Sequence, residues 1–152
     1  MVKILFVCLG NICRSPMAEF LMKDLVKSRG IQNDFYIESA ATSTEELGNG
    51  VYPPVKKLLA ARGIDCTGKR ARQMTAADYN KFDYIVCMDS SNLRNMNYIA
   101  ADTQGKYRKL LDFTDNPHDV ADPWYTRNFA LTESDIERGC EALLEHISLK
   151  EI

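Results

Sequence analysis

The apolar run I-L-F-V at residues 4–7 constrains the fold more than any other stretch of this chain. Strands of antiparallel sheets usually alternate apolar and polar residues, because one of their faces meets water. Four consecutive apolar residues are instead typical of a strand that is covered on both faces, as in a parallel sheet. Parallel strands need long crossover connections, so we expect helices between the strands of this chain.

The rest of the sequence alternates between strand and helix patterns in this way. Further strands are predicted at residues 34–39, 84–88 and, more weakly, 109–113. Helices are predicted at residues 16–29, from Pro54 to Gly63, after Thr75 (T-x-x-D), from Ser90 or Ser91, and from Thr132 (T-x-x-D). We therefore predict an α/β fold, a three-layer sandwich in which a four-stranded parallel sheet has helices on both faces. A chain of 152 residues suits one such domain, spanning residues 1–152.

Composition narrows the classes of partner and cofactor. Apolar residues make up 45% and charged residues 26%, and the net charge is -2, so no nucleic-acid or membrane partner is indicated. The five cysteines are widely spaced, which argues against a disulfide framework and favours a reducing compartment. There is no C-x2-C pair and only two histidines, so we expect no metal and no other cofactor.

The amino-terminal sequence also indicates the cellular location of the protein. Its apolar run is ended by Gly10 and Asn11 and followed at once by Arg14, which does not fit a signal peptide. We predict a cytoplasmic protein, with secretion by a leaderless route left open.

The loop after the first strand carries the main chemical signal, in C-L-G-N-I-C-R-S-P at residues 8–16. Gly10 and Asn11 tolerate left-handed backbone, and a serine-proline pair starts a helix. Successive N–H groups in such a turn, with the helix dipole, form a cradle for phosphate or another oxyanion. Arg14 would hold phosphate oxygens with its guanidinium fork. The same donors favour the thiolate form of Cys8, which predicts a nucleophile aimed at phosphorus. The alternative interpretation is that Cys8 is a small buried residue at a strand end and Arg14 an ordinary arginine in the first turn of a helix.

Beyond this loop, I-E-S-A-A-T-S, R-A-R-Q, F-D-Y-I-V-C-M-D-S-S-N-L and D-P-W-Y follow in order. Together with V-C-L-G-N-I-C-R-S-P-M-A-E they make the chain resemble the low-molecular-weight protein tyrosine phosphatases over nearly its whole length. The resemblance implies hydrolysis of phosphotyrosine in protein substrates, without a metal, through a phosphocysteine intermediate.

The resemblance also assigns the catalytic roles. It implies that Cys8 is the nucleophile, that Arg14 holds the phosphoryl oxygens, and that Asp122 is the general acid and later the base. Backbone amides between Cys8 and Arg14 complete the phosphate site: Leu9, Gly10, Asn11, Ile12 and Cys13. From the residues alone, three other aspartates fit the acid role: Asp89, Asp115 and Asp119.

Supporting roles follow from the same resemblance. Ser15 is expected to donate to the thiolate within the substrate site. Asn11 is expected to hold the loop through Ser39, and Asp89 to brace it. Lys69 stands where some members of the family have a histidine, so that part of the network is left open.

The resemblance bears on specificity as well. Trp124 and Tyr125 are expected to form one wall of a deep slot for the phosphotyrosine ring. Some members place a tryptophan on the other side, where this chain has Glu45, Glu46 and Leu47. The second wall and the peptide preference therefore stay open.

Cysteine chemistry is a separate expectation. Cys13 lies in the same loop as Cys8, and the resemblance implies that an oxidised Cys8 is trapped as a reversible disulfide with Cys13. Packing of Cys13 under the loop is the alternative. The remaining cysteines are interpreted as structural: Cys66, Cys87 and Cys140.

Rival functions fit these residues less well. Bacterial arginine phosphatases of this fold carry threonine where this chain has Ile12, which favours an aryl phosphate here. Arsenate reductases need two further cysteines close together, and Cys87 has no such partner in the helix that follows. A phosphotyrosine-binding module without activity would lack the nucleophile or the acid, whereas Cys8 and Asp122 are both present.

Overall fold

The computed structural model describes residues 1–150 and confirms the predicted α/β architecture. Within these residues the sheet has four strands, all parallel, in the order β2-β1-β3-β4. The strands are β1 (Val2–Cys8), β2 (Phe35–Ala41), β3 (Tyr84–Cys87) and β4 (Tyr107–Lys109). The helices are α1 (Arg14–Ser28), α2 (Pro53–Ala61), α3 (Ala76–Lys81), α4 (Ser90–Ile99), α5 (Pro123–Thr126) and α6 (Phe129–Lys150).

The three layers follow from the alternation of side chains along β1. Ile4 and Phe6 join the larger apolar cluster, which contains residues of α1, α2 and α6. Leu5 and Val7 join a second cluster, on the other face, with residues of α3 and α4. All four side chains are fully buried, as a strand covered on both faces requires.

The predicted fourth strand at 109–113 is mostly wrong. Only Tyr107–Lys109 pairs with β3, and Leu110–Phe113 forms a 3-10 helix. The reason lies in Leu110 and Leu111, which are both buried in the larger cluster. A strand would point consecutive side chains to opposite faces of the sheet, whereas a helical turn lets both reach the same core.

Two predicted helix starts also differ from the structure. Helix α4 is capped by Asp89, whose carboxylate accepts from the Asn92 N–H at 2.8 Å, and not by Ser90 or Ser91. Helix α6 begins at Phe129, so Thr132 and its T-x-x-D partner Asp135 lie inside it.

Two other helix starts shift by one or two residues. Helix α1 begins at Arg14, two residues before the predicted start, and α2 begins at Pro53. The pattern after Thr75 forms the predicted capping box with Asp78.

The topology brings the site together at one edge of the sheet. Strand β1 lies between β2 and β3, so its carboxyl end at Cys8 is flanked by the ends of both neighbours. Ligands of open parallel sheets bind beyond such ends. No helix among residues 1–150 combines the length and apolarity needed to cross a membrane.

Candidate active site

Cys8 ends strand β1 and is almost completely buried at the base of the loop that follows. Its Sγ lies 2.9 Å from the Ser15 hydroxyl and accepts the Asn11 N–H at 3.3 Å. Asn11 is the left-handed residue of this loop, with φ of 60°, whereas Gly10 has no positive φ. A glycine suits position 10 for another reason, since a Cβ there would lie 3.3 Å from the Cγ of Glu46.

The Asn11 side chain fixes the shape of the loop. Its carboxamide nitrogen donates to the hydroxyls of Ser15 at 2.8 Å and Ser39 at 2.9 Å. Its oxygen accepts the N–H of Arg72 at 3.2 Å. Ser15 therefore accepts from Asn11, which leaves its own proton free to point at the Cys8 sulfur. The expected contact between Asn11 and Ser39 is present.

Lys69 and Glu19 extend this network below the loop. Ser39 donates to the Glu19 carboxylate at 2.6 Å, and the Lys69 ammonium donates to the Ser39 carbonyl at 2.8 Å. Lys69 also lies 3.2 Å from Glu19. Burial lowers the pKa of Lys69, and the Glu19 charge offsets part of this effect. The lysine thus closes the part of the network that the sequence left open.

Arg14 lies in the first turn of α1 and is also nearly completely buried. Its Nη1 donates to Asp89 and to the Val120 carbonyl, each at 2.8 Å, and its Nη2 is 3.6 Å from the Asp122 carboxylate. Burial acts to lower the pKa of Arg14, but the nearby Cys8, Asp89 and Asp122 outweigh it and raise the pKa. Arg14 is therefore a permanent cation at the floor of the site.

Asp122 caps the short helix α5, where its carboxylate accepts the Trp124 N–H at 3.0 Å. Of the four candidate aspartates, it is the one that lines the cleft above Cys8. Asp119 pairs instead with Lys109 at 3.1 Å and accepts the Ser90 N–H. Asp89 does not line the cleft, and its link to the site is the ion pair with Arg14.

The cleft has a volume of about 130 Å³. Its lining residues are Cys8, Leu9, Gly10, Ile12, Cys13, Arg14, Glu45, Glu46, Asp122, Trp124 and Tyr125. Trp124 and Tyr125 thus line the cleft, and so do Glu45 and Glu46. Leu47 is exposed and does not line the cleft.

Tyr52 supports the tryptophan from behind. Its ring centroid is 5.0 Å from that of Trp124, and its hydroxyl accepts from Arg127 at 3.1 Å. Three parts of the site were not predicted from the sequence: Tyr52, Glu19 and the Val120 carbonyl. Glu19 ends the stretch V-C-L-G-N-I-C-R-S-P-M-A-E at residues 7–19, which gives a sequence signal for it, whereas no local pattern marks Tyr52 or Val120.

Cys13 lies in the same loop as Cys8 and is buried. Burial raises the pKa of its thiol to about 12, and the negative charges of Cys8 and Asp122 act in the same direction. All cysteines among residues 1–150 are free and buried, so the structure describes the reduced form.

Comparison with known proteins identifies the family. The model of the low molecular weight phosphotyrosine protein phosphatase family matches residues 3–151. The low molecular weight protein-tyrosine-phosphatase YfkJ of Bacillus subtilis is 38% identical over 150 residues, with coverage of 97% of this chain and 96% of that protein. PtpA of Staphylococcus aureus (strain MRSA252) is 40% identical over 148 residues, with coverage of 97% and 94%.

Solved structures agree. The crystal structure of YfkJ superimposes with a TM-score of 0.96 at 37% identity and covers 100% of this chain and 98% of its own. A Drosophila arginine phosphatase, DARP, superimposes with a TM-score of 0.87 at 32% identity and covers 96% and 98%. The chain therefore belongs to the low molecular weight phosphotyrosine protein phosphatase family.

Proposed function

We propose that this protein is a metal-independent protein-tyrosine phosphatase with Cys8 as nucleophile and Asp122 as general acid. One observation carries the proposal. The Cys8 sulfur lies at the floor of a cleft, 2.9 Å from a serine hydroxyl, and the same cleft is lined by Arg14 and Asp122. The proposed nucleophile, the cation that binds the phosphate and the proton donor therefore all line one cleft. Its volume of about 130 Å³ suits a small chemical group.

In the first step the Cys8 thiolate attacks phosphorus. The S–P bond forms while the bond from phosphorus to the tyrosine oxygen breaks, and Asp122 gives its proton to the departing phenolate. Arg14 and the loop amides stabilise the phosphoryl oxygens. Because Asp89 and Val120 hold Nη1 of Arg14, Nη2 and Nε form the fork that receives those oxygens.

In the second step water attacks the phosphocysteine. Asp122, now a carboxylate, takes a proton from the water as the O–P bond forms and the S–P bond breaks. The thiolate leaves into hydrogen bonds from the Ser15 hydroxyl and the Asn11 N–H. Inorganic phosphate is released, and Asp122 is again protonated for the next turnover.

The lining of the cleft favours phosphotyrosine as substrate. Trp124 and Tyr125 offer aromatic surface to a phenyl ring, and Ile12 contributes a branched apolar side chain. A protein-arginine phosphatase is the second candidate, supported by the likeness to the Drosophila arginine phosphatase. Arsenate reduction is disfavoured, since Cys66, Cys87 and Cys140 do not line the cleft.

The substrates are phosphoproteins, and inorganic phosphate and other oxyanions compete for the same loop. A cytoplasmic location fits the odd number of dispersed cysteines.

The test is hydrolysis of phosphotyrosine, phosphoserine and phosphoarginine peptides by the wild-type protein in the presence of EDTA. Rapid release of phosphate from the phosphotyrosine peptide alone is expected. Preference for phosphoarginine would keep the cysteine chemistry and overturn the substrate. Cys8→Ser should abolish turnover while vanadate or phosphate still binds, and full activity of that variant would refute the mechanism.

A further inference from the structure

The segment at residues 114–122, here called the acid loop, carries Asp122 without regular secondary structure. Its shape therefore depends on side-chain and backbone contacts with the elements around it. On the sheet side, Val120 donates its N–H to the Met88 carbonyl at 2.9 Å and accepts from Arg14. These bonds fix the loop two residues before the acid.

Thr132 of helix α6 holds the residue next to the acid. Its hydroxyl is 3.2 Å from the carbonyl oxygen of Ala121, which directly precedes Asp122. A threonine inside a helix commonly donates to the carbonyl four residues earlier, and Thr132 also lies 3.3 Å from the Asn128 carbonyl. Its single proton is therefore shared between its own helix and the acid loop, in a site where Thr132 is almost completely buried.

Asp135 provides a second tether, one turn further along the same helix. Its carboxylate is buried, and its Oδ2 lies 3.4 Å from Nε2 of His118 in the acid loop. Arg138 binds the other carboxylate oxygen. The second ring nitrogen of His118 contacts the Asn116 carbonyl at 2.8 Å, which orients the imidazole toward Asp135. A buried carboxylate requires such partners. Because one of the partners of Asp135 is His118, this contact also holds the acid loop against helix α6.

We propose that Thr132 and Asp135 are positioning residues for the general acid. Through Ala121 and His118 they set where the Asp122 carboxylate lies above Cys8. The T-x-x-D pattern that suggested a helix start thus serves the acid loop instead. This inference rests on the proposed acid role of Asp122.

A misplaced general acid has a specific kinetic effect. Protonation matters most for a basic leaving group and least for one that departs readily as its anion. The kinetic constant kcat/KM includes the steps up to leaving-group departure, so it reports this effect directly. A purely structural role of Thr132 would lower the fraction of folded protein and reduce kcat/KM equally for all esters.

The test compares Thr132→Val, which keeps the shape and removes the hydroxyl, with Thr132→Ser, which restores it. Phenyl phosphate and p-nitrophenyl phosphate serve as poor and good leaving groups. For Thr132→Val we expect kcat/KM to fall about tenfold with phenyl phosphate and less than about threefold with the nitrophenyl ester, since removing an acid altogether costs roughly 10²- to 10⁴-fold. Thr132→Ser should recover most of the loss.

Two further variants make the result independent of folding defects. His118→Ala removes the partly exposed partner of Asp135 and should show the same selective loss. Glu133→Gln alters the same helix by breaking the 2.7 Å ion pair with Arg62, and it should affect both esters equally. Equal losses for the two esters in both Thr132→Val and His118→Ala would overturn the proposal.

Combination with Asp122→Asn separates this inference from the proposed function. If Asp122→Asn itself is not selective for phenyl phosphate, the acid role of Asp122 fails. If it is selective, Thr132→Val should have little further effect in the double variant, because there is no acid left to position. Full additivity of the two effects would refute the positioning role while the acid role stands.

Discussion

Asn11 gives the sharpest test of how the phosphate loop keeps its shape. The residue is almost completely buried, has φ of 60°, and bonds to Ser15, Ser39 and the Arg72 N–H. Two substitutions separate these features. Asn11→Gly removes the side-chain hydrogen bonds and keeps the left-handed backbone free of strain, whereas Asn11→Ala removes the same bonds and adds the strain of a Cβ.

The magnitudes follow from these contacts. Each lost hydrogen bond in a buried site costs about 1 kcal/mol, and glycine adds about 0.4–1 kcal/mol through the entropy of the unfolded chain, so Asn11→Gly should reduce the free energy of unfolding by about 3–4 kcal/mol. A left-handed alanine costs about 1–2 kcal/mol, while glycine has a cost of about 0.4–1 kcal/mol through the entropy of the unfolded chain. Asn11→Ala should therefore be less stable than Asn11→Gly, by about 0.8 kcal/mol at the midpoints of these ranges.

Urea denaturation measures both values, with Asn33→Ala as an exposed control. For a domain of this size, the Asn11→Gly change corresponds to a fall in Tm of about 6–16 °C. Both variants should also lose kcat/KM at temperatures where they are folded, because Ser15 is no longer oriented toward Cys8. A loss of stability below about 1 kcal/mol, or Asn11→Ala more stable than Asn11→Gly, would refute the reasoning.

Three other predictions concern the core, the thiols and the rim. Gly139→Ala should lower the free energy of unfolding, measured by urea denaturation, by about 1–3 kcal/mol, because the new Cβ would lie 2.4 Å from Cγ of Leu110. Helix propensity alone would instead raise the stability by about 1 kcal/mol, so a more stable variant would contradict this prediction. Iodoacetamide at neutral pH should label Cys8 and spare Cys13, since burial chiefly raises the pKa of Cys13 to about 12 and keeps it a thiol; equal labelling by mass spectrometry would contradict this. Glu46→Gln should raise kcat/KM for acidic phosphotyrosine peptides about two- to fivefold at low salt and leave neutral peptides unchanged, and an effect that persists in 1 M salt would exclude simple charge repulsion.

Much of the fold was predictable because its signals are local. A run of four apolar residues indicates a parallel strand, and glycines mark the ends of the first two helices at positions 30 and 63. The predictions failed where tertiary packing decides. Leu110 and Leu111 adopt a helical conformation because both side chains are buried in the same apolar cluster. Thr132 lies within a helix although its T-x-x-D pattern is typical of a helix cap.

The site divides in the same way. Cys8 and Arg14 are six residues apart, at the two ends of one loop, so their proximity is encoded locally. Val120 lies 106 residues from Arg14 and contributes only a carbonyl oxygen, which any residue type supplies. No sequence pattern reports such a contact. Tyr52 reaches Trp124 through the packing of separate segments, and Lys69 is interpretable only once Glu19 is known to be buried beside it.

The position of Cys8 at the end of β1 links the inactivation of the protein to its unfolding. Residues 4–7 are fully buried and hydrogen-bonded to neighbours on both sides, so their amides should exchange with solvent only when the whole domain opens. The sulfur is attached to the segment that local fluctuations disturb least. As long as the acid loop stays in place, phosphate release should therefore persist until global unfolding, and heat-inactivation and unfolding curves should coincide.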